Sequence, residues 1–442
     1  MRVMPERYVE ALRRMPLLLR EGEVTACNGS VIEAIGPDAH LGEVCELWSD
    51  RAQAPVLTQV VGFRDGRVLL MPFGASVGLR VGDRLRASGR NLQIPVGPQL
   101  LGRIIDGFGQ PLDGKTAPAT EMVYDVYRPP ISPLHRRDVD TVLETGVGVV
   151  DSMLTMGKGQ RVGVFAGSGV GKSTLLGMMA RHVRADVAVI GLIGERGREV
   201  GDFVAHALGE EGMQRAVVVA ATSDQPALVR AHATHAAHAV AEYFRDQGKD
   251  VLLIVDSITR FAMAQREIGL AAGEPPTSRG YPPSVFNVLP QLIERGGSVQ
   301  GKGSISCIYS VLVEGDDMNE PVADHMRALL DGHIVLSREL ANRGQLPAID
   351  ILQSVSRLLG RLVVSTERQL IGEVRSLFAA HEASKDLIDM GAYQKGANKE
   401  LDRAVICVPR LQALFRQAPE HSHGRGEGFR AMAELLSAAV AL

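Results

Sequence analysis

The run Ala166-Gly167-Ser168-Gly169-Val170-Gly171-Lys172-Ser173-Thr174 places three glycines around a lysine and two adjacent hydroxyls. Glycines allow successive backbone N–H groups to converge on phosphate oxygens. A helix opening at Lys172 would add the partial positive charge of its N-terminus. Lys172 can then reach the β- and γ-phosphates of a nucleotide, and the Ser173 hydroxyl can ligate Mg²⁺. The expected phosphate cradle is Gly167, Ser168, Gly169, Val170, Gly171, Lys172, Ser173 and Thr174. The strict pattern has glycine at its first position, where Ala166 stands here. Ala166 closes an apolar run that reads as a strand, so the change is mild.

Two further stretches supply carboxylates. Val251-Leu252-Leu253-Ile254-Val255-Asp256 is a buried-strand pattern that ends in an acid, which would deliver Asp256 to the sheet edge as a Mg²⁺ partner. Gly194-Glu195-Arg196-Gly197-Arg198-Glu199 follows the apolar run Val187–Ile193. If these strands are parallel, Glu195 arrives at the same edge as the phosphate loop. It can orient or deprotonate a water there, with Arg196 bracing Glu195 or a phosphate.

The surrounding elements must bring these pieces together. Between Gly22 and Asn91 short apolar stretches alternate with Gly, Pro and Asp, and Asp65-Gly66 is a hairpin signal. A small β-barrel is expected there. From Leu92 the pattern turns to alternating strands and helices: strands over Arg161–Phe165, Val187–Ile193, Val217–Ala221, Val251–Val255, Ser304–Val313 and Gly332–Leu336. Helices are expected over Lys172–Val183, the Asp202–Glu211 region and Pro226–Gln247. This predicts an α/β fold with a parallel sheet. Beyond Val364 the expectation is helical: Glu367–Met390, Leu401–Arg416 and Arg430–Val440, with Ala418–Glu427 a loop. The predicted divisions are 1–21, a docking segment with an amphipathic helix over 5–15; 22–91, the barrel; 92–364, the P-loop core; and 365–442, a helical domain.

Composition narrows the classes. The chain has 442 residues, enough for two or three domains, with 45% hydrophobic and 22% charged residues. A net charge of −3 and an aromatic share of 4% give neither a global basic field nor stacking platforms for nucleic acid. Cys27, Cys45, Cys307 and Cys407 lie far apart without metal-binding spacing and read as reduced thiols. His232, His235 and His238 recur every three residues, with no acidic or cysteine ligand interleaved, which argues against a metal site. No signal peptide or membrane-length apolar window is evident, so a cytoplasmic protein is expected.

Several stretches together resemble the ATPase of the bacterial flagellar and type III export apparatus, a relative of the catalytic subunit of rotary ATP synthases. They are Leu101–Gly114, Arg161–Met179, Gly191–Asp202, Val251–Glu267, Gly273–Phe286, Asp331–Arg338 and Gln353–Gly360. The resemblance covers nearly the whole chain. It implies a RecA-like core, ATP and Mg²⁺, and a homo-hexamer with nucleotide between adjacent subunits. Arg357 matches the arginine finger that acts on the neighbour's nucleotide. Leu346 stands where the family often has a Tyr packing on adenine, and keeps apolar contact without ring stacking. The Gly- and Pro-rich loop Gly273–Pro283 would line the central channel. The implied partners are regulatory and stalk proteins, export substrates and chaperones, with peripheral association at the inner membrane through the export gate. Ala262-Met263-Ala264-Gln265 and Gly391-Ala392-Tyr393 resemble the flagellar branch over the virulence injectisome. A transcription-termination helicase shares a stretch like Asp256–Arg260, but its RNA-binding aromatics have little counterpart here beyond Trp48, Phe63 and Phe73. A non-catalytic ring subunit is disfavoured by the presence of both Lys172 and Glu195.

Overall fold

A computed structural model describes residues 20–49, 54–75, 78–396 and 398–440. The helix expected over 5–15 lies outside them. Six strands open the described chain: β1 (Glu21–Asn28), β2 (Val31–Ile35), β3 (Val44–Trp48), β4 (Val56–Arg64), β5 (Arg67–Pro72) and β6 (Arg84–Ala87). They close into an antiparallel barrel in the order β1-β2-β5-β4-β3-β6, which leaves no open sheet edge. The β4–β5 hairpin turns on Asp65 and Gly66, with φ of 47° and 73°. Two positive φ values in a two-residue turn match the right-handed twist of the flanking strands, which is what the Asp-Gly signal anticipates.

The central sheet contains β7 (Arg103–Ile105), β8 (Arg161–Ala166), β9 (Val187–Ile193), β10 (Ala216–Ala221), β11 (Asp250–Asp256), β12 (Ser304–Leu312), β13 (Gly332–Leu336) and β14 (Ile349–Ser356). The order is β14-β13-β8-β12-β11-β9-β10-β7, and a short strand, Gly297–Ser298, pairs antiparallel with β12. Every neighbouring pair from β13 to β7 is parallel, and β14 alone along that path runs antiparallel, at the edge. Alternation along the strands sorts residues between two cores. Val187, Val189 and Ile193 face one hydrophobic cluster, whereas Ala188, Ile190 and Leu192 face the other. Burial on both faces explains why these strands read as unbroken apolar runs. The register pairs Ala166 with Leu312 and Leu336, and Asp256 with Leu192. The ends of β8, β9 and β11 therefore share one rim.

The helices that matter for the site are α1 (Lys172–His182), α2 (Gly197–Asp202), α3 (Ala227–Asp246) and α4 (Ile258–Ala271), followed by α5 (Arg338–Asn342). The C-terminal bundle contains α6 (Ser365–Ala383), α7 (Lys385–Asp389), α8 (Lys399–Phe415) and α9 (Arg425–Val440). Three details differ from the sequence expectation. The region 202–211 is not one regular helix, because α2 widens into π-type turns over Phe203–Leu208. Gly177 of α1 packs there so closely that a Cβ on it would lie 2.4 Å from Ala207 Cβ. The expected helix Glu367–Met390 breaks at Ser384, whose φ of −110° and ψ of 9° end α6. The last helix starts at Arg425, not Arg430, since Arg425 pairs with Glu367 at 2.6 Å and Gly428 lets the helix approach Ser152. Among the described residues, no helix is long and apolar enough to cross a membrane.

Candidate active site

The turn between β8 and α1 carries the glycine-rich run. Gly169 and Gly171 take φ of 78° and 88°, a left-handed backbone that favours glycine. Gly171 is the residue before α1, so the N-terminus of α1 points its free N–H groups into the loop. The loop borders an open cavity of about 730 Å³, together with Glu195, Arg196, Glu199, Arg260 and Arg338.

Lys172 connects the two sequence-derived carboxylates. Its Nζ lies 2.5 Å from Asp256 Oδ1 and 3.7 Å from Glu195 Oε1. Asp256 is 2% exposed, and its Oδ1 also accepts the Ser310 hydroxyl at 2.6 Å. Ser310 lies on β12, the strand inserted between β8 and β11, so sheet order accounts for the contact. Asp256 already faces a cation in Lys172, and Ser173 sits beside Lys172 in the first turn of α1. A buried carboxylate and a nearby hydroxyl form an oxygen-only donor set that fits Mg²⁺, which keeps several waters of its own.

Glu195 is held by its backbone: Gly194 N–H donates to Ala221 O at 2.7 Å, and Ser223 N–H donates to Glu195 O at 3.0 Å. Gly194 has a φ of 70°, and a Cβ on it would lie 2.9 Å from Arg260 Cβ. Burial raises the Glu195 carboxyl to about 7, helped by its hydrogen bond to Glu199 and by the Asp256 charge, with Lys172 opposing. The same contact lowers the Glu199 carboxyl. Arg196 is expected from sequence to brace Glu195 or phosphate. It lines the cavity but is exposed, and its carboxylate contact is Glu199, at 3.9 Å.

Leu346 adjoins the loop from another side. It borders a second, mostly apolar cavity of about 220 Å³ with Val170, Gly171, Thr174, Met178 and Pro419. Leu346 Cδ2 is 3.9 Å from where a Gly171 Cβ would sit. The back of this cavity is fixed by buried Gln417. Its side chain donates to Gly146 O and His421 O and accepts from Gly148 N–H, while its own N–H donates to Leu346 O at 3.0 Å.

Arg357 is absent from this constellation. It follows β14 at the rim opposite the phosphate loop, since Ser356 pairs with Gly332 while Ala166 pairs with Leu336. Four residues of strand separate the two levels, about 13 Å. Arg357 is exposed, and its guanidinium donates to Arg327 O at 3.0 Å. It cannot serve the nucleotide cavity of its own chain. The loop Gly273–Pro283 contains a tight turn at Arg279, φ 46°, tied to Asp317 at 2.9 Å.

The three histidines of α3 are core residues. His238 bonds Thr234 O and Tyr309 Oη, and His235 bonds Arg295. Burial lowers His232 to about 4 and His238 to about 3. Cys45, Cys307 and Cys407 are buried, whereas Cys27 is exposed. Sequence reasoning missed Ser310, Glu199, Arg260, Arg338 and Gln417. Glu199, Arg260 and Arg338 stood within quoted motifs, Gly194–Glu199, Asp256–Arg260 and Asp331–Arg338. Ser310 and Gln417 carry no local signal.

Comparison with known proteins adds four observations. Residues 24–89 match the ATP synthase alpha/beta family β-barrel domain, residues 146–356 its nucleotide-binding domain, and residues 363–434 the T3SS EscN ATPase C-terminal domain. A flagellum-specific ATP synthase of Bacillus subtilis is 46% identical over 417 residues, covering 94% of this chain and 95% of that protein. A type 3 secretion system ATPase of Xanthomonas euvesicatoria is 47% identical over 398 residues, covering 90% of each. The assembled ATPase EscN of the enteropathogenic E. coli type III secretion system superposes with a TM-score of 0.89 at 41% identity, covering 94% of this chain and 100% of that one.

Proposed function

The chain belongs to the family of flagellum-specific ATP synthases and type 3 secretion system ATPases, and from that premise we propose that it hydrolyses ATP to drive protein export by the flagellar type III apparatus. The observation that carries the chemistry is Lys172 standing between Asp256 and Glu195 at the mouth of a glycine-rich loop.

In this mechanism the backbone N–H groups of 167–174 and the Lys172 ammonium hold the triphosphate, and Lys172 exchanges Asp256 for phosphate as ATP binds. Leu346 and the Gln417 wall pack the adenine. Ser173 and Asp256 would hold Mg²⁺, which when bound would supply neutralisation of the phosphate charge. Ionised Glu195 accepts a proton from a water whose oxygen attacks the γ-phosphorus in line, while the bond to the β–γ bridging oxygen breaks and that oxygen leaves with ADP. The proton passes on to the released phosphate, and no covalent intermediate forms. Glu199 raises Glu195 through their shared contact, and Arg196 faces Glu199 beside it, lining the phosphate cavity.

The missing positive charge comes from a neighbour. Arg357 lies on the far rim of its own sheet, so a head-to-tail ring brings the Arg357 of one subunit to the nucleotide of the next. There it stabilises charge spread over the transferring phosphoryl group. A homo-hexamer meets this requirement, and hydrolysis should rise with assembly. One solved relative is the assembled EscN ATPase in complex with its central stalk EscO, at a TM-score of 0.86. By analogy, a stalk protein engages the ring here, with the loop 273–283 facing the channel. Regulatory proteins, chaperones and export substrates are the remaining partners, and the export gate holds the cytoplasmic ring at the inner membrane. Nucleic acid has no part, and RNA-stimulated hydrolysis would count against this reading.

Deleting the gene tests the flagellar assignment. Loss of motility with toxin secretion intact is the expected result. Loss of toxin secretion with normal motility would move the protein to the injectisome branch, which the Xanthomonas relative represents at similar identity.

A further inference from the structure

The segment 338–347 meets the nucleotide region at both of its ends. At the first, Arg338 lines the phosphate cavity, and its Nη2 lies 2.8 Å from the position of a Cβ on Gly167. Asp316, 3.5 Å from Arg338 Nε, packs on the same glycine. At the other end, Leu346 and Pro347 wall the apolar cavity. The residues between are held from the C-terminal helices. Glu339 of α5 is ion-paired and hydrogen-bonded to Lys385, the first residue of α7. Gln345 donates to Gln412 O at 2.9 Å and accepts from Arg416 at 3.1 Å.

These polar links matter because the packing behind them is incomplete. A cavity of about 230 Å³ lies between Leu340, Arg343 and Gln345 of the segment and Phe378, His381 and Gln412 of the helices. Close packing fixes position rigidly only where side chains fill the space. The break at Ser384 makes α7 a separate short helix, with Lys385 as its first residue.

We propose that Glu339 and Lys385 are positioning residues through which the C-terminal helical domain sets nucleotide affinity, by holding segment 338–347 against the phosphate end and the adenine end of ATP together. Neither residue reaches the nucleotide, and neither takes part in the chemical step. The proposal rests on the nucleotide site proposed above.

The test uses the full-length chain, with a fluorescent ATP analogue for binding and steady-state phosphate release for KM and kcat. Glu339→Gln and Lys385→Ala should each weaken binding and raise KM about two- to fivefold, the range of a partly exposed ion pair, with kcat within about twofold of wild type. The loss in the double variant should be less than the sum of the single losses, because both changes remove the Glu339–Lys385 link, while Glu339 also pairs with Arg343 at 2.8 Å and Lys385 with Glu382 at 4.0 Å. Lys385→Arg should restore wild-type affinity. Arg403→Ala breaks the Arg403–Glu373 pair inside the helical domain without touching 338–347, and should leave affinity unchanged even if it lowers the melting temperature. Unchanged affinity in both single variants, an additive double variant, or an equal loss in Arg403→Ala would overturn the proposal. Lys172→Ala separates the two readings. If it binds nucleotide like wild type, the site itself is wrong; if it abolishes binding while the Glu339 and Lys385 variants do nothing, only this inference falls.

Discussion

Replacing Glu195 by Gln removes a proton acceptor and changes little else. The amide has the shape of the carboxyl, and the Lys172–Asp256 contact at 2.5 Å does not depend on Glu195. ATP should therefore bind with an affinity within about threefold of wild type, since a neutral amide costs the phosphate site at most a fraction of a weak ion pair. Turnover should fall about 10²- to 10⁴-fold, the usual contribution of a positioned general base, or about 3 to 5 kcal/mol of barrier. The pH profile gives a second signature. Glu195 is raised to about 7, above the ordinary carboxyl range, so it is protonated and idle as a base below that pH and ionised above it. Wild-type kcat/KM should climb as pH rises through about 7 and then level, and this limb should vanish in the variant. Phosphate release across neutral pH, paired with titration of a fluorescent nucleotide, measures both. Turnover within about tenfold of wild type, or a variant that no longer binds ATP, would refute the role of Glu195 as base.

Other perturbations test the parts around it. Leu346→Tyr should lower KM for ATP about two- to tenfold, through ring stacking worth about 0.5–1.5 kcal/mol, and Leu346→Ala should raise it. Ser310→Ala takes one of two donors from Asp256, and the Mg²⁺ concentration for half-maximal activity should rise about tenfold or more, as for other outer-shell losses. Arg295 is 1% exposed and binds Glu242 at 2.8 Å. Arg295→Ala should cost the core about 3–5 kcal/mol in denaturant unfolding, because it leaves the buried Glu242 carboxylate with the longer, partly exposed Arg128 contact at 3.4 Å in place of its two hydrogen bonds from Arg295.

Most of the half-site was written locally. A glycine-rich turn, an apolar strand ending in Asp256 and a charged run after another apolar strand each declare themselves in a few residues. Parallel strands then bring them to one rim without further information. What stayed hidden depends on contacts between distant segments. Ser310 backs Asp256 only because β12 inserts between β8 and β11. Gln417 falls between the expected helix Leu401–Arg416 and the expected loop Ala418–Glu427 with nothing to mark it, yet it is buried against Gly146 and Gly148. The break at Ser384 has neither glycine nor proline to mark it. The early start of α9 was masked by Gly426 and Gly428, which disfavour helix in isolation, although Gly428 allows the approach to Ser152. The position of Arg357 was legible by resemblance alone. Its distance from its own phosphate loop follows from β14 running antiparallel at the sheet edge, a feature of topology with no local signature.

That distance is the basis of the central claim, that one chain holds half a site and its neighbour completes it. Mixing two inactive variants, Lys172→Ala and Arg357→Ala, tests it directly. Each fails alone, but in a mixed head-to-tail ring roughly a quarter of the interfaces join an intact phosphate loop to an intact Arg357. Phosphate release should reappear on mixing at concentrations that support assembly, reaching about that fraction of wild type at equal amounts. No recovery on mixing, or an Arg357→Ala variant as active as wild type, would contradict the claim.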